Sequence, residues 1–308
     1  MRSKNFNILV FSLFIITIKW FFSFYYFDET LDIKIIFESV TDGKYYYPLI
    51  KYLSDYNLSQ SFDPEISNLQ NIPLPIGGIF IHAILFKLMN FGSFILIEFI
   101  CLFTFIYIFT NIFKFIHFKN SYIPICLAIL IFLSPIFIKN TFLIDFQFIK
   151  IYSDNIFNFR VPRPMVSNLY LFGFVLIILK MMHKEFFKLK YFILLSILAG
   201  LSLSSFFYHF VIEFILFISI FIFKYKKNIF VKLKENINLF LLGSLVFLFT
   251  ISPFLLNLYY HESEFTIRTC VFNLSYENKI ELIKYFLKKY ISENFLTIIT
   301  TLSFLNIL

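Results

Sequence analysis

The sequence predicts an all-α fold: a polytopic helical membrane protein with about seven to nine spans and a large first extracytoplasmic loop containing interfacial helices. Three observations lead there. Hydrophobic residues make up 59% of the chain and charged residues only 15%. A bilayer span needs roughly 20 mostly apolar residues, and several runs approach or exceed that length. The runs are continuous rather than alternating, which excludes a membrane barrel. The 49 Phe residues, with abundant Ile, Lys, Asn and Tyr, suggest an A+T-rich coding sequence, so aromatic content alone carries little functional weight.

The first run, Asn7 to Phe27, follows Arg2 and Lys4 and ends in an aromatic collar of Trp20, Tyr25 and Tyr26. It is too long for a signal-peptide core and no small-residue cleavage site follows it, so it reads as a signal anchor. Residues 28–92 form the large loop, which holds eight of the 19 Asp and Glu residues. Its last part, Ile76 to Asn90, is apolar but short and broken by His82 and Lys87, as expected of a helix lying at the interface.

A six-span bundle is expected over 93–258. Span two is Ser93 to Phe113 and span three Tyr122 to Ile138. A second outer loop, 139–164, leads into span four, Met165 to Met182. Spans five (Tyr191 to Ser205) and six (Tyr208 to Phe223) make a hairpin with almost no loop, and span seven is Ile237 to Leu258. The polar stretch 259–293 contains an amphipathic helix near Asn278 to Tyr290. The apolar run from Asn294 to Leu308 is short for a span. It reads either as a chain ending in the membrane or as part of a longer protein. All 308 residues thus form one membrane domain.

Charge sorting gives the orientation. The short segments 1–6, 114–121, 180–190 and 224–236 carry 13 Lys or Arg against two acids. The longer loops 28–92, 139–164 and 258–293 carry 13 Lys or Arg against 15 acids. The positive-inside rule places the basic short segments and the N-terminus in the cytoplasm and the acidic loop outside, in a membrane expected to be a bacterial inner membrane. The net charge of +8 is then a property of cytoplasmic loops, and no nucleic-acid partner is implied. Three cysteines make no disulfide framework.

Chemistry-bearing residues gather near the outer face. Asp28 and Glu29 follow span one directly, with Asp32, Glu38 and Asp42 close behind. Such carboxylates can simply be solvated. One of them, desolvated at the interface, could instead act as a general base. Several together could hold a divalent cation such as Mg or Mn through oxygen ligands. Asp42-Gly43 is a turn pair leading into Tyr45, Tyr46 and Tyr47. Those rings suit either an interfacial belt or recognition of a sugar. Arg160 and Arg163, stiffened by Pro162 and Pro164, suit either lipid headgroups or a bound phosphate. His209 and Glu213 share a helical face, so they can neutralise each other or line a substrate cavity. Lys19 and Glu98 are a second candidate intramembrane pair, with outward snorkelling of Lys19 the alternative. No Cys/His metal spacing appears.

The layout resembles the integral-membrane glycosyltransferases of the GT-C fold, which include protein mannosyltransferases and aminoarabinose transferases. Phe27-Asp28-Glu29 resembles the Asp-Glu pair after span one in the mannosyltransferase branch, and Asp42-Gly43-Lys44-Tyr45-Tyr46 resembles acidic, tyrosine-rich segments of first loops in the superfamily. The likeness covers about the first 115 residues. It implies transfer of a sugar from a polyprenyl-phosphate-linked donor to an acceptor at the outer face. Asp28, Glu29 or Asp42 would be catalytic, and Tyr45, Tyr46, Tyr47, Arg160, Arg163, His209 and Glu213 would bind substrate. Such enzymes usually have more spans, and often a soluble C-terminal domain. A transporter or flippase of lipid-linked or small polar substrates is the alternative, and a non-catalytic scaffold is a third reading.

Overall fold

The computed structural model describes residues 2–27, 30–56, 76–116, 122–139, 156–184 and 186–260, together with 280, 281 and 284. These residues are helical throughout their regular elements and contain no strand. The helices are α1 (Arg2–Phe27), α2 (Ile33–Ser39), α3 (Gly43–Ser54), α4 (Phe80–Met89), α5 (Gly92–Phe113) and α6 (Ile123–Lys139). They continue as α7 (Ser167–His183), α8 (Leu189–Ser205), α9 (Phe207–Tyr225), α10 (Ile229–Glu235) and α11 (Ile237–Tyr260).

Among the described residues four stretches are long and apolar enough to cross a membrane: Asn5–Phe27, Gly92–Phe113, Phe207–Tyr225 and Ile237–Leu256. The other three expected spans are shorter apolar helices, Ile123–Ile138, Ser167–His183 and Leu189–Ser205. Their starts and ends fall within two residues of those read from the sequence. The amphipathic helix near 278–290 and the final apolar run lie mostly or wholly outside the described residues.

The first loop differs more from expectation, because residues 33–54 are largely helical. Asp32 is the N-cap of α2, its carboxylate accepting the backbone N–H groups of Lys34 and Ile35. This is the usual way a short polar side chain starts a helix. Helix α3 carries Pro48 in its interior, a residue that argues against helix when read from sequence alone. Burial stabilises it: Tyr47, Leu49, Ile50 and Leu53 all point into the core. The expected interfacial helix over 76–90 is a single 3-10 turn, Ile76–Gly78, followed by α4.

Among the described residues two large hydrophobic clusters hold the bundle together, with a small third one joining α5 to α7 through Ile108, Ile112, Leu176 and Leu179. The largest joins α1, α3, α4, α5 and α6 around Phe94, Ile97, Leu102 and Phe105. The second joins α7, α8 and α9 around Phe174, Ile178, Phe192 and Phe221. Helix α5 is the hub of the first half, packing on α1, α4, α6 and α7; α8 is the hub of the second, packing on α7, α9 and α11. Close approach of α8 and α11 depends on Gly200, where a Cβ would stand 2.8 Å from that of Thr250. Outward faces of α1 and α11 stay apolar, with Phe14, Phe21 and Phe249 all exposed. Such faces suit hydrocarbon rather than water.

The bundle has two chemically distinct ends. Lys180, at the end of α7, has Lys114, Lys184 and Lys190 as cationic neighbours, and Lys224 donates to the carbonyls of Met181 and Met182. At the other end lie the α2–α3 turn, the segment 156–166 and the tight α8–α9 turn at Phe206. The up-and-down order of α7, α8 and α9 places these groups at opposite ends.

Candidate functional site

The segment 156–166 is held by its apolar residues and presents its arginines. Phe157 is buried against Phe105 and Phe132, at ring-centroid distances of 4.6 and 5.8 Å. Val161, Met165 and Val166 are also buried. Asn168 donates to the carbonyl of Ile156 at 2.9 Å, fastening the segment to the start of α7. Val161-Pro162 and Arg163-Pro164 are cis peptide bonds. Arg160 and Arg163 emerge between these buried anchors.

The turn before α3 meets this segment twice. The backbone N–H of Val161 donates to the carbonyl of Thr41 at 3.3 Å. Arg160 Nε donates to Asp42 Oδ2 at 2.5 Å. Asp42 occupies the N-cap position of α3 but makes no side-chain cap. Its φ of 61° is left-handed, a conformation that Asp adopts more readily than most residues. The next residue must be small, since a Cβ on Gly43 would stand 2.8 Å from the carbonyl oxygen of Ile36. The backbone therefore turns the Asp42 carboxylate away from its own helix and toward Arg160.

Arg163 lies beside this pair. Its guanidinium carbon is 3.6 Å from the ring centroid of Phe206, in the α8–α9 turn, a stacking that favours a planar cation. Tyr46 is close enough to act electrostatically on both arginines, and Tyr208 on Arg163. The hydrogen bond to Asp42 holds the Arg160 proton more firmly than usual. Arg163 is shifted the other way, by partial burial and then by the nearby charge of Arg160. Among the described residues Arg163 has no carboxylate partner, so this cluster carries more positive than negative charge.

A glycine hinge braces the cluster from below. Cβ atoms at Gly77 and Gly78 would stand 3.0 Å from the carbonyl of Leu201 and 3.0 Å from Cβ of Pro162, respectively. Tyr170 donates from its hydroxyl to the carbonyl of Gly77 at 2.9 Å. Gly77 and Gly78 are thus wedged between α8 and the arginine segment.

The remaining expected residues separate. Asp28 and Glu29 lie outside the described residues. The three tyrosines diverge because consecutive helical positions differ by about 100°. Tyr45 is exposed, under the ammonium of Lys44. Tyr46 faces the arginines, and Tyr47 is a core ring between Phe37, Phe86 and Phe91. Tyr47 therefore belongs to the hydrophobic core. Asp55 pairs with Lys87 at 3.1 Å on the exposed surface.

His209 and Glu213 do not pair with each other. Glu213 instead accepts from the hydroxyl of Ser202 on α8 at 2.6 Å. His209 stands edge-on to Phe206, 4.7 Å between centroids, beside the backbone of Ser167. Shared helical spacing made them candidates, but the tight turn brings Ser202 within reach first. Among the described residues, Glu213 Oε2, His209 Nδ1 and the Ser167 hydroxyl are buried without partners. Lys19 and Glu98 do pair, and Trp20 Nε1 donates to the second Glu98 oxygen at 2.9 Å.

Sequence reading missed Phe206, Ser202 and Thr41, since each acts through a partner remote in the chain. Among the described residues no group of three or more His, Cys, Asp or Glu side chains could hold a metal ion. The carboxylates expected to hold Mg or Mn include Asp28 and Glu29, which lie outside the described residues. A cavity of about 240 Å³ lies elsewhere, among α7, α8, α9 and α11, lined by Phe174, Phe192, Phe210, Phe217, Ser196 and Ser244 among others. Among the described residues its wall holds no titratable side chain. Comparison with models of protein families, with curated proteins and with solved structures finds no match to this chain.

Proposed function

We propose that this chain is a GT-C-like glycosyltransferase that moves a sugar from a polyprenyl-phosphate-linked donor to an acceptor at the outer face of the membrane. The observation that carries this reading is the junction of Asp42, Arg160 and Arg163, with Tyr46 alongside. An acidic group and an excess of guanidinium at one membrane-proximal surface suit a reaction that removes a proton and releases a phosphate. In this reading the N-terminus is cytoplasmic, the lysine-rich end faces inward, and the three shorter apolar helices complete a bundle of at least seven spans.

The donor phosphate binds Arg163 and draws Arg160 away from Asp42. The freed Asp42 carboxylate takes the proton from the acceptor hydroxyl. The acceptor oxygen bonds to the anomeric carbon as the bond from that carbon to the phosphate oxygen breaks. The electron pair leaves on the polyprenyl phosphate, whose charge the guanidinium groups stabilise. Tyr46, beside the two arginines, would contact the sugar ring. Membrane lipids surround the bundle.

The rival reading is translocation of the same class of lipid. The absence of a titratable group from the wall of the 240 Å³ cavity counts against a polar path there. The deciding experiment reconstitutes the protein in proteoliposomes with polyprenyl phosphates carrying radiolabelled glucose, mannose or aminoarabinose. Formation of free polyprenyl phosphate together with labelled acceptor supports transfer. Movement of intact donor between leaflets with no bond cleaved would replace the transferase by a flippase.

A further inference from the structure

We propose that Lys19, clamped by Glu98, is a positioning residue for Arg160: its ammonium supports the Phe159 ring and so sets where the next residue's guanidinium meets Asp42. The functional consequence rests on the transferase reading, in which Arg160 and Arg163 hold the donor phosphate. Helices α1 and α5 build the support. Lys19 pairs with Oε1 of Glu98, and Trp20 Nε1 donates to the other carboxylate oxygen at 2.9 Å. Glu98 and Trp20 are both buried. The ammonium also stands 5.3 Å from the centre of the Trp20 ring. A carboxylate and an indole face thus hold the cation at a fixed point between two long helices.

Phe159 rests on that point. Its ring centre is 4.7 Å from Lys19 Nζ, within the range of a cation–π contact, which strengthens where water is excluded. Phe157 and Phe132 close on the same ring, at 5.8 and 6.3 Å between centroids. Phe157 and Val161 are buried on either side of it, while Arg160 is exposed. The local backbone couples the ring to the guanidinium. The Arg160 N–H donates to Asn158 Oδ1 at 2.8 Å, closing a side-chain turn around Phe159. The Val161 N–H donates to the carbonyl of Thr41 at 3.3 Å, and Arg160 Nε reaches Asp42 Oδ2. A charged pair is costly to place inside a bundle of apolar helices. This one joins α1 to α5 and also carries the segment that presents Arg160.

The test separates position from stability in the purified full chain in detergent. The double variant Lys19→Met, Glu98→Gln removes both charges together, and Phe159→Leu removes the ring while leaving the ion pair. Phe159→Tyr keeps an aromatic face and serves as the rescue. Deuterium exchange of the peptide carrying the Val161 amide is read by mass spectrometry, at an equal interval below each variant's melting temperature. Exchange should be about tenfold faster in the double variant and in Phe159→Leu, and as in the wild type in Phe159→Tyr. Calorimetric titration with farnesyl phosphate should show about tenfold weaker binding in the same two variants, again with rescue by Phe159→Tyr. Unchanged exchange in both variants would overturn the positioning role whatever a transfer assay gives. Faster exchange with farnesyl phosphate bound as tightly as by the wild type would overturn it too, leaving the pair a purely structural joint. A wild type that does not bind farnesyl phosphate, with exchange still faster in both variants, would remove the phosphate reading and uphold the support of Arg160 by Lys19.

Discussion

Asp42 and Arg160 are 118 positions apart in the chain and meet at 2.5 Å. The contact joins the turn before α3 to the segment leading into α7, and the Val161-to-Thr41 backbone bond fixes its register. The pair is open to solvent, with the Arg160 side chain 57% and the Asp42 side chain 23% exposed. Exposed pairs of this kind contribute about 0.2–1 kcal/mol. The pair is therefore a small term in the stability of the bundle.

Asp42→Asn should insert and fold as the wild type does, losing no more than about 1 kcal/mol. Its transfer rate should fall by about two to four orders of magnitude, the range general bases supply. Thermal unfolding in detergent beside a transfer assay separates the two effects. A large fall in stability with activity per folded molecule unchanged would make the pair a structural strut.

Arg163 should bind the donor rather than do acid–base work. Arg163→Ala is expected to weaken donor binding by on the order of tenfold or more, since hydrogen bonds to charged groups contribute about 1.5–3 kcal/mol. Arg163→Lys should rescue poorly, because an ammonium group lacks the planar face that stacks on Phe206. A donor titration reads this directly, and full rescue by lysine would remove the stacking argument.

The wedge at Gly77 is a structural prediction. Gly77→Ala would place Cβ 2.2 Å from the Ser204 hydroxyl and 3.0 Å from the Leu201 carbonyl. Overpacking of this kind costs about 1–3 kcal/mol. Adding Ser204→Ala removes the nearest clash but leaves those with the Ser205 hydroxyl at 2.9 Å and the backbone, so partial recovery of melting temperature is expected. No loss in the single variant would show that the turn does not press on α8.

Glu98 sits buried between Lys19 and Trp20. Lys19→Met leaves that carboxylate without its cation and should destabilise by about 3–5 kcal/mol. Lys19→Met combined with Glu98→Gln should recover much of the loss. Thermal melts of the single and double variants check this, and additive losses would contradict a coupled pair.

Much of the bundle was legible because continuous apolar runs announce helices regardless of tertiary context. Helices α2 and α3 were not, since their polar residues and Pro48 hide a buried stripe that only packing reveals. The same holds within the site. Proline-flanked Arg160 and Arg163 and the Asp42-Gly43 turn stood out as chemical pieces, but nothing local to Phe206 marks it as the ring beneath Arg163. The His209–Glu213 spacing suggested a pair, and Ser202 took the carboxylate because the α8–α9 turn is so tight. Spacing along one helix gives opportunity; neighbouring helices decide which contact forms.

The most direct measurement is single-turnover release of polyprenyl phosphate from a labelled polyprenyl-phosphate hexose in proteoliposomes, with wild type and Asp42→Asn side by side. The wild type should release polyprenyl phosphate and label an acceptor, while Asp42→Asn should bind the donor and release almost none. Equal release by the two proteins would contradict the role given to Asp42 at this junction.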